Sequence, residues 1–298
     1  MNYITCAFIG LGKMGRELCA RFGLSGFPTL AYDINPAASK FAEKNYKNVT
    51  HSDLLPAVKN SAIIFSCLPN SNHVREIVDQ LLQQKEILNG VQYWVDTTSG
   101  HPDESQKIAS DLLSQEVVFF DCAVSGGLAG AVAGSLTAMV GGDQKSFPQV
   151  ENIIAAFAKN IVHLGPIGSG HAVKAVNNTL LAANISSVSE GLIALKKHGI
   201  TLEIALKAIN TSSGRSWVTQ QRIPEHVLTR KFAYGFSLGL LSKDVDTCME
   251  ILQESNLPAP SLRSTRELIQ VAKIIIGEES DHLEIVKMLE DWSGETIE

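Results

Sequence analysis

Near the start of the chain stands Tyr3-Ile4-Thr5-Cys6-Ala7-Phe8-Ile9-Gly10-Leu11-Gly12-Lys13-Met14-Gly15, an apolar run that leads into the pattern Gly-x-Gly-x-x-Gly. A second apolar run, Thr29-Leu30-Ala31-Tyr32, ends at Asp33. The order of strand, glycine turn, helix, strand and acid is the dinucleotide-binding fingerprint of a doubly wound fold. The first glycine allows a tight turn, the second lets the backbone approach a pyrophosphate, and the third lets helix pack on strand. We therefore predict a dinucleotide site at the N-terminus of the first helix.

Asp33 bears on which dinucleotide binds. A carboxylate at the end of the second strand accepts hydrogen bonds from ribose hydroxyls and repels a 2′-phosphate. Ile34 and Asn35 follow it, so no arginine stands there to receive that phosphate. The sequence favours NAD over NADP. A turn-capping role for Asp33 before Asn35-Pro36 does not exclude this one.

The composition is that of a soluble globular protein with a sizeable core, with 45% hydrophobic and 19% charged residues. The net charge of −6 offers no general attraction to nucleic acid or an anionic membrane. No apolar run approaches the roughly 20 residues of a membrane span, and strand-like residues from Tyr3 leave no room for a signal peptide. Five cysteines without a Cys-x-x-Cys pair predict buried thiols of a reducing compartment, no metal site and a cytoplasmic location.

Strands and helices alternate in the first half of the chain, which predicts a parallel sheet covered on both faces. Predicted strands lie at 61–67, 92–96, 117–121 and 134–142, and predicted helices at 36–45, 71–84 and 102–115. Beyond about residue 165 the pattern is helical, with one long helix over 168–198 and others at 201–210, 241–255 and 261–275. We predict an α/β Rossmann domain over 1–164 and an all-α domain over 165–298, ending in a solvated acidic tail from Glu290 to Glu298.

Three polar or glycine-rich turns follow predicted strands at the edge where such sheets bind ligands. They are Leu68-Pro69-Asn70, Asp96-Thr97-Thr98-Ser99 and Ser125-Gly126-Gly127. The first two also suit ordinary strand-to-helix turns with capping hydroxyls. The third can form an anion-binding concavity from consecutive backbone N–H groups, or a flexible turn.

A further motif opens the long helix and reads Gly165-x-x-Gly168-x-Gly170-His171-x-x-Lys174-x-x-Asn177-Asn178. Lys174 and Asn178 are four residues apart and share one helix face. Lys174 is flanked by alanine and valine at the predicted domain boundary, where a partly desolvated lysine could donate or accept a proton. A solvated surface lysine is the alternative. His171 fits a helix-start or interface position better than that of the acid.

These motifs together make the chain similar to the β-hydroxyacid dehydrogenase family, whose members include 3-hydroxyisobutyrate dehydrogenase. They recur in order as the glycine loop, Cys67-Leu68-Pro69, the run Asp121–Gly127, the lysine motif and Lys243-Asp244. The resemblance implies that Lys174 is the general acid/base and that Asn178 positions either Lys174 or the substrate. It also implies that the substrate carboxylate is bound by Ser125, Gly126 and Gly127. It implies a set of cofactor contacts: Gly10, Leu11, Gly12, Met14, Gly15, Asp33, Leu68, Pro69, Ser99 and Lys243.

The resemblance further implies an oxidoreductase that moves a hydride between NAD and a small 3-hydroxy acid, as a homodimer or homotetramer with an all-α domain of the 6-phosphogluconate dehydrogenase-like type. Substrate choice is expected to depend on 212–217 and Phe236. The turn at Ser99 departs from the Ser-Thr-Ile form common in the family. Two alternatives remain: an NADPH-dependent semialdehyde or imine reductase of the same fold, and a cofactor-binding module without turnover. Imine reducers of this fold usually lack the lysine, so Lys174 argues against the first alternative, and the Lys174/Asn178 pair argues against the second.

Overall fold

The computed structural model describes residues 4–298, so Tyr3 of the opening apolar run lies outside the described residues. The chain divides into two compact units, and the division falls between Lys174 and Ala175. Both residues belong to one long helix, Ser169–Lys197. The boundary expected near Gly165-Pro166 precedes that helix, whereas the division lies inside it.

Unit 1, which ends at Lys174, is built on an eight-stranded sheet. Its strands are β1 (Cys6–Ile9), β2 (Thr29–Tyr32), β3 (Val49–His51), β4 (Ile63–Ser66), β5 (Tyr93–Asp96), β6 (Val118–Ser125), β7 (Leu136–Gly141) and β8 (Ala158–Gly165). They lie in the order β3-β2-β1-β4-β5-β6-β7-β8. Strands β1 to β6 are parallel, β7 is antiparallel to β6, and β8 is parallel to β7. The predicted doubly wound α/β fold is confirmed.

The helices of this unit connect the strands, and some of them begin at a capping side chain. They are α1 (Lys13–Leu24), α2 (Pro36–Asn45), α3 (Leu54–Lys59), α4 (Ser71–Leu82), α5 (Pro102–Leu113), α6 (Gly127–Ala133), α7 (Phe147–Ile154) and the start of α8 (Ser169–Lys197). At α2, the Asn35 side chain accepts the backbone N–H of Ala37, and Pro36 supplies a preset φ. The predicted helix 36–45 is therefore confirmed at both ends.

Both faces of the central strands β1 and β4 are buried, as a parallel sheet requires. Alternate residues of β1 point to opposite faces. Phe8 joins a cluster in which the rings of Phe22 and Phe65 lie 4.5 Å apart. Ile9 belongs to the opposite cluster, with Trp94. Because every residue of β1 is buried, this strand is rigid where it delivers the glycine loop.

Unit 2, Ala175–Glu298, is helical and has its own core. It contains the rest of α8, then α9 (Leu202–Asn210), a π-helix (Val218–Val227), α10 (Leu238–Glu254), α11 (Pro260–Ile276), a 3-10 turn (His282–Glu284) and α12 (Ile285–Ser293). None of the helices within 4–298 combines the length and apolar character needed to cross a membrane.

The acidic C-terminal segment is structured, so the prediction of a solvated tail is wrong. Glu290 is only 6% exposed and its carboxylate pairs with Arg230 at Nη2–Oε2 2.9 Å. The backbone N–H of Ile297 donates to Glu290 Oε1 at 2.6 Å, and the Ile297 side chain is fully buried. The sequence showed a run rich in acids, but not the arginine 60 residues away that pairs with one of them.

Candidate functional site

The turns singled out in the sequence all follow parallel strands and so lie at the same edge of the sheet of unit 1. The register places Ile9 beside both Tyr32 and Ser66, and Ser66 beside Asp96. The glycine loop, Asp33, Leu68-Pro69 and Thr97–Ser99 come directly after those residues. From β1 the chain adds β2 and β3 on one side and then β4 on the other, so the strand order changes direction at β1. Doubly wound sheets open a ligand crevice at such a point.

The three glycines of the loop differ in what a side chain at each position would meet. Gly10 has φ +93°, and an added Cβ would lie 2.4 Å from the carbonyl oxygen of Cys67. A Cβ on Gly15 would lie 2.1 Å from the Gly10 carbonyl oxygen. A Cβ on Gly12 would meet nothing within 4 Å. The fold therefore requires Gly10 and Gly15, whereas Gly12 leaves open space of the kind a bound pyrophosphate fills.

The N-terminus of α1 opens onto the same space. Gly12 is its N-cap residue, no side chain caps it and its first turn contains no acidic residue. The free N–H groups and the positive end of the helix dipole there suit a phosphate. The residues present thus fit the pyrophosphate of a dinucleotide.

Asp33 faces the glycine loop. Its Oδ2 accepts the backbone N–H of Leu11 at 2.6 Å, and its Oδ1 accepts that of Asn35 at 2.8 Å. Both the turn-capping role and the position beside the loop are therefore realised together. Ile34, next to it, is 90% exposed.

The turns after β4 and β5 are joined through buried polar groups. The backbone N–H of Leu68 donates to Thr98 Oγ1 at 3.0 Å. Asp96 accepts Ser66 Oγ–H at 2.8 Å and the Thr98 backbone N–H at 3.1 Å. Burial raises the pKa of the Asp96 carboxyl above its usual value. This network fixes the turn that leads to Ser99 relative to the Leu68-Pro69 turn.

Strand β6 runs past the level at which β5 ends. Asp96 lies beside Asp121, and β6 continues to Ser125, which pairs with Thr137 of β7. Gly126 and Gly127 follow with φ values of +133° and +67°. Glycine adopts such positive φ values without strain and other residues rarely do, so this turn depends on the two glycines. The turn Ser125–Gly127 thus lies just beyond the edge at which β5 ends, and its binding of a carboxylate stays a prediction.

Asp121 anchors the start of α8, a role that the sequence reasoning missed. Its side chain is fully buried. Oδ1 accepts the backbone N–H of Gly168 at 2.7 Å, and Oδ2 accepts that of His171 at 2.9 Å. Cβ atoms on Gly141 and Gly170 would lie 2.4 and 2.8 Å from the two carboxylate oxygens. Gly141 at the end of β7 and Gly170 of the motif therefore make room for a carboxylate that binds the positive end of the helix carrying Lys174.

We expect Asp121→Asn to lower both stability and activity. An amide has only one oxygen for the two N–H groups, and it loses the charge that strengthens both bonds, which together cost about 1–3 kcal/mol. Thermal unfolding and kcat are the measurements. Asp143→Asn is the matched control, because the exposed Asp143 carboxylate also accepts two hydrogen bonds, both from Ser146. An Asp121 variant no less stable than the Asp143 variant would contradict the anchoring role.

His171 is buried at the start of α8, consistent with the helix-start position expected for it. Ser105 Oγ–H donates to the His101 carbonyl at 3.0 Å, so the 2.8 Å contact with His171 uses a hydrogen on Nδ1 of the imidazole. A Cβ on Gly100 would lie 2.5 Å from His171 Cε1. The ring therefore packs against the turn that follows Ser99 and supports it.

Lys174 lies half-buried in α8, one helical turn after Gly170 and one before Asn178. Its position within unit 1 is fixed by the Asp121 anchor at residues 168 and 171. Continuous α-helix over Ser169–Lys197 places Lys174 and Asn178 on one face.

In unit 2, Asn178 and Lys243 converge on Asp244. Asn178 Nδ2 donates to Asp244 Oδ2 at 2.6 Å, and Lys243 Nζ donates to Oδ1 at 2.7 Å. Asn178 Oδ1 accepts Asn177 Nδ2 at 3.1 Å. Asp244 is only 3% exposed and holds both predicted residues. The Lys243-Asp244 pair in the sequence was the available signal for this carboxylate, but its link to Asn178 depends on the packing of α10 against α8.

The cysteines show no sign of nucleophilic or metal chemistry. All five are free. Burial raises the pKa of Cys6 to about 12, which keeps it a thiol. Over residues 4–298, no group of three histidine, cysteine or acidic side chains is arranged to hold a metal ion.

Comparison with known families matches almost the whole chain. Residues 5–165 match the family model described as the NAD binding domain of 6-phosphogluconate dehydrogenase. Residues 168–289 match that described as NAD-binding of NADP-dependent 3-hydroxyisobutyrate dehydrogenase.

Full-length relatives extend this match. The chain is 30% identical to 2-(hydroxymethyl)glutarate dehydrogenase of Eubacterium barkeri, over 99% of this chain and 97% of that enzyme. It is 29% identical to mitochondrial 3-hydroxyisobutyrate dehydrogenase of Drosophila melanogaster, over 85% of this chain and 79% of that protein. Among solved structures, Mycobacterium tuberculosis 3-hydroxyisobutyrate dehydrogenase with L-serine has a TM-score of 0.88 at 24% identity, over 96% of this chain and 99% of that one. That last likeness concerns the fold.

Proposed function

The chain belongs to the β-hydroxyacid dehydrogenase family and is an NAD(P)-dependent hydroxyacid dehydrogenase, and we propose that it moves a hydride between NAD and a small 3-hydroxy acid with Lys174 as general acid/base. The observation that carries this proposal is the buried Asp121 anchor. It ties the start of α8, and with it Lys174, to the strand that also delivers Ser125–Gly127. This anchor supports the proposal because it joins the helix that carries Lys174 to the strand that leads into Ser125–Gly127.

In the proposed reaction, the turn Ser125-Gly126-Gly127 binds the substrate carboxylate through its hydroxyl and backbone N–H groups. Gly10, Leu11, Gly12, Met14 and Gly15 bind the pyrophosphate, and Leu68, Pro69, Ser99 and Lys243 supply further cofactor contacts. The nicotinamide supplies the hydride acceptor or donor. Fixing the carboxylate orients the hydroxyl-bearing carbon before reaction, which lowers the entropic part of the barrier.

Lys174 moves the proton that balances the hydride. In the oxidation, its neutral amine takes the proton of the substrate hydroxyl as the hydride leaves the same carbon. In the reduction, its ammonium polarises the carbonyl and returns the proton to the oxygen. Asn178, one turn further along α8, is proposed to orient Lys174 or the substrate, and its own orientation is set by Asp244.

NAD is the proposed cofactor because Asp33 sits beside the glycine loop with Ile34 and Asn35 after it. We expect Asp33→Asn to narrow the ratio of kcat/KM for NAD over NADP by roughly 10- to 100-fold. The amide keeps an oxygen for the Leu11 N–H but removes the charge that repels a 2′-phosphate and binds ribose hydroxyls. Asp53→Asn, at an exposed carboxylate that makes no capping bond to α3, is the control. An unchanged ratio would remove Asp33 from the cofactor assignment.

The test of the proposed activity is a panel of 3-hydroxy acids assayed with NAD and with NADP through nicotinamide absorbance. 3-Hydroxyisobutyrate, serine and 2-(hydroxymethyl)glutarate represent small, amino-substituted and dicarboxylic members. We expect turnover with NAD and at least one of them. Tight cofactor binding without turnover of any member, in either direction, would instead favour the non-catalytic binding module.

Two expectations about the protein as a whole accompany this proposal. We propose a homodimer or homotetramer, which sedimentation velocity distinguishes from a monomer. The five free cysteines suit a reducing compartment, and we propose the cytoplasm.

A further inference from the structure

Unit 2 contains a buried arginine without an acidic partner. Arg222 is only 8% exposed, and its guanidinium carbon lies 3.4 Å from the centre of the Tyr234 ring. Across residues 4–298, no carboxylate lies within salt-bridge distance of the Arg222 guanidinium. Arg230, by contrast, is paired with Glu290. A guanidinium stays charged in proteins, so burying it without an anion is costly and only partly offset by the ring.

Two histidines flank the same tyrosine. The rings of His226 and His282 lie 5.6 and 5.7 Å from the Tyr234 ring, both edge-on. Six buried side-chain nitrogen or oxygen atoms within the described residues lack a hydrogen-bond partner, and three belong to this cluster. They are Arg222 Nε, His226 Nδ1 and His282 Nε2. Partnerless polar atoms concentrated around one ring indicate a missing partner rather than scattered packing faults.

The nearby acids do not serve these atoms. Asp281 accepts the backbone N–H groups of Gly235 and Leu283, and it contacts the other ring nitrogen of His282 at 3.2 Å. That nitrogen, Nδ1, also lies 3.0 Å from the Phe236 carbonyl oxygen. Glu225 is 59% exposed and lies 3.9 Å from His226 Nε2, not Nδ1. These three atoms therefore have no acidic partner among residues 4–298.

The backbone that carries Arg222 is unusual. Val218–Val227 is a π-helix with Pro224 inside it. Proline cannot donate the backbone hydrogen bond of a regular helix, and π-helical turns are found frequently at functional sites. Arg222 and His226 are four residues apart on this helix and so lie on neighbouring positions of one face. The irregular helix thus presents both side chains to the same ring.

We propose that Arg222, His226 and His282 form a binding site for a carboxylate anion. A guanidinium offers a planar pair of donors that matches a carboxylate, and stacking on Tyr234 fixes that plane in advance. The carboxylate has two conceivable sources: the second carboxylate of a dicarboxylic 3-hydroxy acid, or a separate carboxylate metabolite. Only the first source depends on the proposed dehydrogenase function; binding itself does not.

The site couples carboxylate binding to protonation of His226. Burial and the neighbouring Arg222 hold the pKa of His226 below its usual value, with His282 acting in the same direction and Glu225 and Asp281 opposing. A bound anion favours the protonated imidazole and so raises that pKa. Carboxylate binding is therefore tighter at low pH and takes up protons from the buffer.

The experiment is calorimetric titration of the full chain with glutarate at about pH 6 and about pH 8, on either side of the ordinary histidine pKa. We expect saturable binding that is stronger at the lower pH. Arg222→Met is expected to weaken it by roughly 10- to 100-fold, the loss typical of removing a charged hydrogen-bond partner. Arg263→Met removes the same charge from an exposed position of the same unit and should leave binding unchanged.

A second variant keeps the test decisive if the first does not fold. His226→Gln retains the arginine but should abolish much of the proton uptake, measured as the dependence of binding heat on buffer ionisation enthalpy. Circular dichroism and thermal unfolding establish that each variant is folded. Glutarate binding weaker than about 1 mM at both pH values, or equal binding by folded Arg222→Met, would overturn the proposal.

Kinetics distinguish the two sources. If the site takes the substrate's second carboxylate, Arg222→Met raises KM for 2-(hydroxymethyl)glutarate and not for 3-hydroxyisobutyrate, and glutarate competes with substrate. If a separate metabolite binds, glutarate remains bound at saturating substrate. Absence of turnover with any 3-hydroxy acid would reject the proposed activity but leave the calorimetric result intact, so the two failures are separable.

Discussion

Lys174→Met should reduce kcat by about 10²- to 10⁴-fold while leaving dinucleotide affinity unchanged. Methionine has nearly the length and flexibility of lysine, so it can fill the same half-buried place on α8 without the amine. The expected loss is the range by which a positioned general acid or base accelerates proton transfer. The glycine loop and Asp33 belong to other elements of unit 1, so cofactor binding should persist. Steady-state kinetics and fluorescence titration of reduced cofactor measure the two quantities separately.

A matched control separates chemistry from a general effect of losing a lysine. Lys207 lies exposed on α9 of unit 2, and Lys207→Met removes the same charge there. Its kcat should equal that of the unmodified protein. A Lys174 variant that turns over at the normal rate would show that another group moves the proton.

The parts of the fold predicted from sequence are those with a local physical signal. Helix α2 was placed correctly because Asn35 and Pro36 define a start that needs no tertiary partner. β4 was recognised because it is buried on both faces and reads as a continuous apolar run. β8 was missed because, at the edge of the sheet, it carries exposed residues such as Lys159 and Asn160 and shows no apolar run.

The missed features depend on contacts distant in sequence. The Asp121 carboxylate meets the start of α8, 47 and 50 residues later. Asp244 meets Asn178, 66 residues earlier. Each carboxylate stood in a motif that the sequence reasoning quoted, but a motif does not state which N–H group its acid will accept. The π-helix at Val218–Val227 could not be predicted from the sequence either, because its geometry depends on packing and on Pro224 and not on composition.

Within the glycine loop, the sequence predicts a separate purpose for each glycine, and the surroundings of the three positions differ. Gly10 and Gly15 are held against other backbone atoms, whereas Gly12 faces open space. Folding therefore requires glycine at positions 10 and 15, whereas cofactor binding is proposed to require it at position 12. We therefore expect a substitution at Gly12 to weaken cofactor binding, and one at Gly15 to lower the melting temperature.

Gly12→Ala should weaken dinucleotide binding by roughly 10- to 100-fold with little change in the melting temperature. The added methyl group meets no protein atom within 4 Å, so the fold has no reason to shift. It does enter the space beside the N-terminus of α1, where it would displace a phosphate at a cost typical of overpacking, about 1–3 kcal/mol. Isothermal titration with NAD and differential scanning calorimetry of the cofactor-free chain measure the two effects.

Gly15→Ala is the contrasting variant, since its methyl group would lie 2.1 Å from the Gly10 carbonyl oxygen, which cannot move without opening the turn. We expect its melting temperature to fall by at least about 6 °C, because an overpacking cost of about 3 kcal/mol corresponds to roughly 2–4 °C per kcal/mol in domains of this size. If Gly12→Ala melted as low as Gly15→Ala, the space beside Gly12 would be part of the folded core. If instead it bound NAD normally, that space would not be the pyrophosphate site. Only the combination of intact folding and weakened binding assigns the open side of the loop to the cofactor.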